Sequence, residues 1–450
     1  MKLLANKTTR GAILFTLLIL IVYRLGSYII TPIINGQAIL GADSAIGFEN
    51  LFGLLGGGNI QFLTLFALGV SPYITASIVI QLLENDLVPS IAEWKHQGID
   101  GQNKRYAWTK YLAVIFAFVQ AFGITLSLYI LKTSDIISPI PFTKGSEVGI
   151  LEFLVIALYL TAGSTILMWL ADRITEKGIG NGMSVIIMVG ILARMPSELK
   201  SIGDSLWAAA FNEQKGIWDM DFMSNDLTWL LIAIIFIILV IFIVYYTLAY
   251  LLVDIYYVKN AKSTLSERSY IPIKLNPAGV IPVIFVAPLM QVPILLLKLP
   301  LFADNGIGKF ETVFRAFFQV SGTYWYVAMV VYFVLILGFS IMYSYIQMNP
   351  QQMAENLEKQ SAYIVGVRPG DDTENYLTKI ITSTTVYGGI VLGILAILPI
   401  ILQNFVSYAT NSTFNLQLIG TGLIITINVL VQTYQAMENK TESKTYKKLF

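Results

Sequence analysis

Ionisable side chains that could bind or couple an ion are nearly absent from the apolar stretches of this sequence. Arg24 interrupts the first stretch and Glu152 sits near the end of another. A carrier driven by ions or protons needs more such groups at membrane depth. Arg24 is read as an ion pair or a carbonyl contact inside the bundle rather than as a substrate ligand. The chain has no Cys and one His, His96, so it can build no disulfide, thiol nucleophile or His-rich zinc site. Neither H-E-x-x-H nor G-x-S-x-G occurs. Gly178-Ile-Gly-Asn-Gly182 is rich in glycine but lacks the Gly-Lys-Ser/Thr ending of a phosphate loop, and fits better as a tight turn between two spans. No enzyme chemistry and no cofactor are therefore expected. What these residue types do allow is a passage closed by apolar side chains, through shape and dewetting rather than charge. Val70, Ile74 and Ile284, beside Pro and Gly positions, are the candidates for its narrow part, although on the residues alone ordinary helix packing is the better explanation of each.

The elements that must position these residues follow from composition. Of 450 residues 56% are hydrophobic and 13% charged, about half the charge of an ordinary globular domain. So few charges cannot cover a soluble surface, and a net charge of +1 provides no field for nucleic acid. The expected fold is an all-α integral membrane protein. Apolar runs near 11–31, 61–83, 107–131, 150–171, 182–199, 228–256, 278–302, 324–347, 380–403 and 416–436 give ten spans, with 182–199 shorter and amphipathic. The first run is long, holds Arg24 and has no small-residue cleavage site after it, so it is read as a retained helix. Twenty of the 29 Lys and Arg fall in loops on the N-terminal side and eight on the opposite side, which puts both termini in the cytoplasm.

Two features break the regular pattern. Residues 46–58 are apolar and rich in Gly but too short to span, and read as a re-entrant or interfacial segment. Two large polar loops, 257–277 and 348–379, lie on the cytoplasmic side. A faint echo joins Val70-Ser-Pro-Tyr-Ile74 to Val280-Ile-Pro-Val-Ile284, five helices later. It suggests two pseudo-symmetric halves, 1–200 and 201–450, with a pathway at their interface.

Longer motifs carry a resemblance. Phe66-Ala-Leu-Gly-Val-Ser-Pro-Tyr-Ile-Thr-Ala-Ser-Ile-Val-Ile-Gln-Leu-Leu83, Ile174-Thr-Glu-Lys-Gly-Ile-Gly-Asn-Gly-Met-Ser184 and Leu275-Asn-Pro-Ala-Gly-Val-Ile-Pro-Val-Ile-Phe285 are three of them. Asn349-Pro350, Ala354-Glu-Asn-Leu357 and Val367-Arg-Pro-Gly370 complete the set. In sequence, order and spacing the chain resembles the SecY family of protein-conducting channels along nearly its whole length. That resemblance implies ten helices in two halves around an hourglass pore, with a waist of Val70, Ile74, Met183, Ile187, Ile284 and Ile425. Residues 46–58, with Phe52, Gly53, Leu54, Leu55 and Gly56 at their centre, would be the plug. Each glycine there weakens a helix by roughly 1 kcal/mol, which suits an element that must leave its seat. Spans two and three facing seven and eight would form the lateral gate to the lipid bilayer.

The same resemblance implies partners. The loops 257–277 and 348–379 would dock a SecA-type motor ATPase or the ribosome, with Arg368, Pro369 and Gly370 in the second loop and Arg368 tied to motor-driven transport. Small SecE- and SecG-like subunits and signal-sequence-bearing preproteins complete the set, in the bacterial cytoplasmic membrane. Several positions depart from the family pattern. Gly98-Ile-Asp-Gly-Gln-Asn-Lys-Arg105 and Leu251-Leu-Val-Asp-Ile-Tyr-Tyr257 lack the usual basic clusters, and Phe62 and Ile381-Thr-Ser-Thr-Thr385 stand where Arg is common. The thinned basic residues count against ribosome docking. They favour an accessory Sec channel with its own motor and a narrow set of surface glycoproteins; the alternatives are a housekeeping SecY and, more remotely, a secondary transporter of a small solute.

Overall fold

The computed structural model describes residues 7–31, 64–84, 91, 93–130, 150–212, 217–218, 234, 237–257, 269–286, 289–290, 317–318, 325–410 and 417–447. The expected plug residues Phe52, Gly53, Leu54, Leu55 and Gly56 lie outside them, as does most of the polar stretch between 257 and 269. The chain divides into two compact units, Met1–Ile202 with Gln291–Phe314 and Val429–Phe450, and Gly203–Met290 with Arg315–Asn428.

In the first unit the helices are α1 (Lys7–Gly26), α2 (Ser71–Leu82), α3 (Gly98–Ile130), α4 (Ile150–Lys177) and α5 (Gly182–Ala210). Only 33% of the apolar window of α1 is buried, and Leu14, Leu17, Leu18 and Ile21 are exposed, as expected of a helix whose outer face meets lipid. The expected span 61–83 proves shorter as a helix. Residues 65–70 form successive turns, and α2 is 12 residues long with Pro at its first turn. Proline lacks the N–H that a helix interior needs but fits the first turn, where that donor has no helical partner. The turns before it are almost wholly buried, with Phe66, Ala67 and Leu68 each at 3% exposure or less, so protein rather than lipid surrounds their backbone.

The turn 178–182 joins three helices besides the one it opens. The Ile179 N–H donates to Thr16 Oγ1 of α1 at 3.2 Å, and the Gly182 N–H to Thr175 Oγ1 of α4 at 2.8 Å. Gly180 has φ +76 and lies beside Thr433. The glycines make a tight turn, as its composition suggests. Helix α5 runs on past Pro196 to Ala210, beyond the expected end at 199. Two ion pairs tie neighbouring helices: Lys110 of α3 with Asp172 of α4 at 2.7 Å, and Arg105 of α3 with the buried Glu84 beyond α2 at 3.5 Å.

The second unit opens with a two-residue pairing of β1 (Phe211–Asn212) and β2 (Ile217–Trp218). Its helix α6 (Ile237–Leu248) ends where the Ala249 N–H bonds back to the Tyr246 carbonyl. The expected span 228–256 is therefore corrected: from Tyr250 the chain is the strand β3 (Tyr250–Tyr257). Alternation explains the change, since Val253 and Ile255 are buried while Leu252 and Asp254 are exposed. Strand β3 pairs antiparallel with β4 (Ser269–Lys274) on one side and with β5 (Ala362–Ile364) on the other. After α7 (Trp325–Gln347) come α8 (Pro350–Lys359), β5 and α9 (Asp371–Thr410). The second polar loop thus ends at 371 rather than 379, because Asp371, Asp372 and Glu374 favour a helix start through the positive end of its dipole.

These pieces share a core. Val253, Ile255 and Ile273 of the sheet, Ala354 and Leu357 of α8, Ala362 and Ile364 of β5, and Leu377 and Ile381 of α9 form one buried cluster. Asn349 caps α8, its Oδ1 accepting from the Gln352 N–H at 3.3 Å, and Pro350 occupies the first turn. Pro272 has a clear place in edge strand β4. The Leu275 N–H bonds across to Ala249, so by antiparallel alternation the backbone at 272 faces away from β3. Its missing N–H costs no ladder bond and blunts an open edge. Helix α10 (Gln417–Lys447) contributes to both units.

Candidate functional site

The two V-x-P-x-I motifs adopt the same local geometry, each within its own unit. A glycine with positive φ precedes each, Gly69 at +58 and Gly279 at +63. The Gly69 N–H bonds to the Phe66 carbonyl at 2.9 Å, and the Gly279 N–H to the Asn276 carbonyl at 3.2 Å. Val70 and Val280 follow, and their carbonyls accept from the N–H groups of Ile74 and Ile284 at 3.1 and 3.2 Å. Each motif therefore starts a helix at a fixed point: α2 after the first, the helical stretch 281–286 after the second. The prolines open helices instead of interrupting them. An L side chain at φ near +60 is strained, so glycine is what lets the chain turn sharply into the helix.

The expected waist residues are placed as follows. Val70 is fully buried at the head of α2, and Ile74 is half-buried one turn along. Met183 is half-buried at the start of α5; its N–H donates to Asn181 Oδ1 at 3.1 Å. Its side chain packs, with Tyr73, against the cluster of Ala76, Ala113 and Met168, which brings α5 to the α2 side of the first unit. Ile187 is buried one turn further on. In the second unit Ile284 is buried directly after its turn, and Ile425 is fully buried within 421–429, where every residue of α10 is buried. A helix buried all round belongs in the interior of a large apolar body.

Arg368 stands on the tip of the β-sheet module. Gly366 with φ +81 and Gly370 with φ +97 bracket it, and Thr373 Oγ1 donates to its carbonyl at 2.8 Å. Its backbone is thus fixed, while its side chain is exposed and makes no ion pair among the described residues. The contacts that brace this turn run through the backbone, and the guanidinium takes no part in them.

Arg24 differs from its expected partner. Among the described residues it pairs with neither a carboxylate nor a carbonyl but with Tyr28, whose ring centroid is 5.2 Å from the guanidinium carbon and whose hydroxyl lies 3.4 Å from Nη2. The phenol one turn on can take the cation's charge on its ring face. Glu152 is fully buried in the first turn of α4. Sequence reasoning missed the buried Glu84 and its pair with Arg105, for which the signal was an acid closing the apolar run of α2. It also missed that Gly69 and Gly279 stand directly before both echo motifs.

Residues 64–434, both turns and the whole β-sheet module included, match the SecY family profile. The chain belongs to the SecY family. The protein translocase subunit SecY of Staphylococcus aureus is 36% identical over 448 residues, covering 98% of this chain and 96% of that one. Among solved structures, a protein-conducting channel superposes with a TM-score of 0.61 at 18% identity, over 96% of this chain and 93% of that chain. The idle yeast Ssh1 complex bound to the yeast 80S ribosome gives 0.63 at 14% identity, over 95% and 89%. At such identities the likeness is one of fold, the SecY/Sec61 channel fold of ten helices. SecY membership makes this a multi-pass membrane protein and a subunit of a protein translocase. Among the described residues, five helices are long and apolar enough to cross a bilayer, and Ser71–Leu82, Gly182–Pro196 and Ile237–Leu248 are shorter apolar helices.

Proposed function

We propose that this chain is the pore-forming subunit of a bacterial Sec translocase, passing unfolded polypeptide across the cytoplasmic membrane or sideways into it. The observation that carries the reading is the repeated glycine–valine–x–proline turn. It starts a helix at each of two buried points and sets Ile74 and Ile284 one turn in. With Val70, Met183, Ile187 and Ile425 these residues form an apolar waist that gives water and ions no hydrogen-bonding partner. The chain divides functionally at about residue 200, and residues 46–58 seal the pore from outside.

Both termini face the cytoplasm, as the Lys and Arg bias requires. The β-sheet module then faces the cytoplasm too and presents Arg368 to a SecA-type motor, with SecE- and SecG-like subunits completing the complex. The thinned basic residues at 98–105 and the lack of them at 251–257 support an accessory channel over a housekeeping one and count against ribosome docking. A gene beside a second motor and a surface adhesin would agree with that; one among ribosomal-protein genes would not. The pore itself is tested by placing a photocrosslinker at Ile74 or Ile284 and stalling an export substrate in the complex. Adducts from both positions, absent from exposed Val119, are expected. Equal labelling at all three would refute the waist.

A further inference from the structure

We propose that the seam between α7 and α9 holds buried water, bound by the hydroxyls of Ser340, Ser344 and Thr385. Many hydroxyls on the membrane helices bond to their own backbone, with Ser164 of α4 and Thr426 of α10 as buried exceptions on other helices. On α9 itself Thr378, Thr382 and Thr384 each donate to a carbonyl one turn back, at 2.8, 2.7 and 2.9 Å. Ser340, Ser344 and Thr385 depart from that habit. Ser340 and Ser344 are 0% exposed and Thr385 1%, and among the described residues none of the three hydroxyl oxygens has a hydrogen-bond partner.

The packing puts them in one seam. A Cβ at Gly389 of α9 would lie 3.5 Å from Ser340 Oγ, so that hydroxyl is aimed at α9. One layer along, Tyr345 Oη meets Thr382 Oγ1 at 2.6 Å. Ser344 lies between Ser340 and Tyr345 on α7, and Thr385 lies between Thr382 and Gly389 on α9. The two helices run past each other, so Ser344 and Thr385 share the layer between those two contacts. Ser, Thr and Gly also remove side-chain volume along the seam.

A buried hydroxyl without a partner is costly, and three together in an apolar body call for a common ligand. The ligand whose chemistry fits is water: it both donates and accepts, and typically needs two to four polar neighbours. Such a water also lets α7 shift along α9 by exchanging hydrogen bonds rather than losing them. By family resemblance α7 is the eighth span, one side of the lateral gate. The assignment of water rests on packing alone and stands whether or not the transport reading does.

The test uses the full channel complex, purified with its partner subunits. Thr385→Val keeps the shape and removes the hydroxyl, Ser344→Ala does the same within one atom, and Thr385→Ser keeps the hydroxyl. With shared water, Thr385→Val and Ser344→Ala each lower the unfolding midpoint, by roughly 2–4 °C. The double variant falls no further, Thr385→Ser behaves as the parent, and a high-resolution map shows a density peak within hydrogen-bonding reach of both residues. A rise in midpoint on removing either hydroxyl would mean the groups are simply unsatisfied, and overturns the proposal. A non-additive fall with no density peak would mean that the hydroxyls bond each other directly, and overturns it as well.

Discussion

Leu377→Ala should open the β-sheet module without touching the pore. Leu377 is fully buried on the first turns of α9, in the cluster formed with Val253, Ile255, Ile273, Ala354 and Leu357. The substitution removes three carbons, worth about 0.8 kcal/mol each by transfer, so about 2.4 kcal/mol before any cavity forms. The cavity adds to this, because the pieces around Leu377 come from a strand pair and two helices that cannot all close inward, and the total reaches about 3–5 kcal/mol. At about 1.4 kcal/mol per factor of ten, local opening of the module becomes roughly 10² to 4 × 10³ times more frequent. Hydrogen exchange on the reconstituted complex reads this directly. Amides of β3 and β4 should exchange faster by that factor, while those of α3 and α4 in the other unit stay unchanged. ATP-driven translocation should fall with it, since the Arg368 turn is built on the same core. Unaltered exchange at Val253 and Ile271 would refute the reasoning, because it would mean that Leu377 does not hold the sheet to α9.

Two further outcomes follow from particular contacts. Arg368→Ala should abolish or sharply reduce motor-driven translocation while leaving the melting midpoint within the change expected of an exposed site, about 0.5 kcal/mol, since its side chain makes no ion pair among the described residues; translocation assays on proteoliposomes alongside thermal unfolding check both halves. Gly182→Ala should destabilise the first unit by more than an ordinary surface change, because a Cβ there would collide with the Ala171 backbone carbonyl of α4, and reduced yield of folded protein on size-exclusion chromatography is the readout.

How far the sequence was legible depended on what each residue had to meet. Spans α1, α3 and α4 could be read because lipid asks only for length and apolarity. Strand β3 could not, since Tyr-Leu-Leu-Val-Asp-Ile-Tyr-Tyr continues the apolar run of α6 with Asp254 as its sole break. Its inner face meets α8 and α9, which lie about 100 residues away in sequence, and no local pattern reports that encounter. The shortening of α2 was visible in principle: Pro72 belongs at a helix start, and hydropathy alone let the helix run through it. The residues proposed for the waist were chosen through the family resemblance. Their burial was not legible, because Val70 and Ile425 are apolar in an apolar chain and nothing in their spacing separates a lipid-facing side from an interior one. The unsatisfied hydroxyls of Ser340, Ser344 and Thr385 left no mark at all, since Ser and Thr in a membrane helix ordinarily bond to their own backbone.

Helix α9 is a single element of 40 residues, about 60 Å long, that begins at the Arg368 turn and is free of proline until Pro399. A bilayer core is only roughly 30 Å thick, so the same helix has one end beside the exposed arginine and still has length enough to cross the core. Between Asp371 and Pro399 it contains no proline, and its Gly388-Gly389 pair is the first place at which it could bend. A displacement of its Arg368 end is therefore carried along the helix as far as Gly388 and Gly389, much as a tiller moves a rudder.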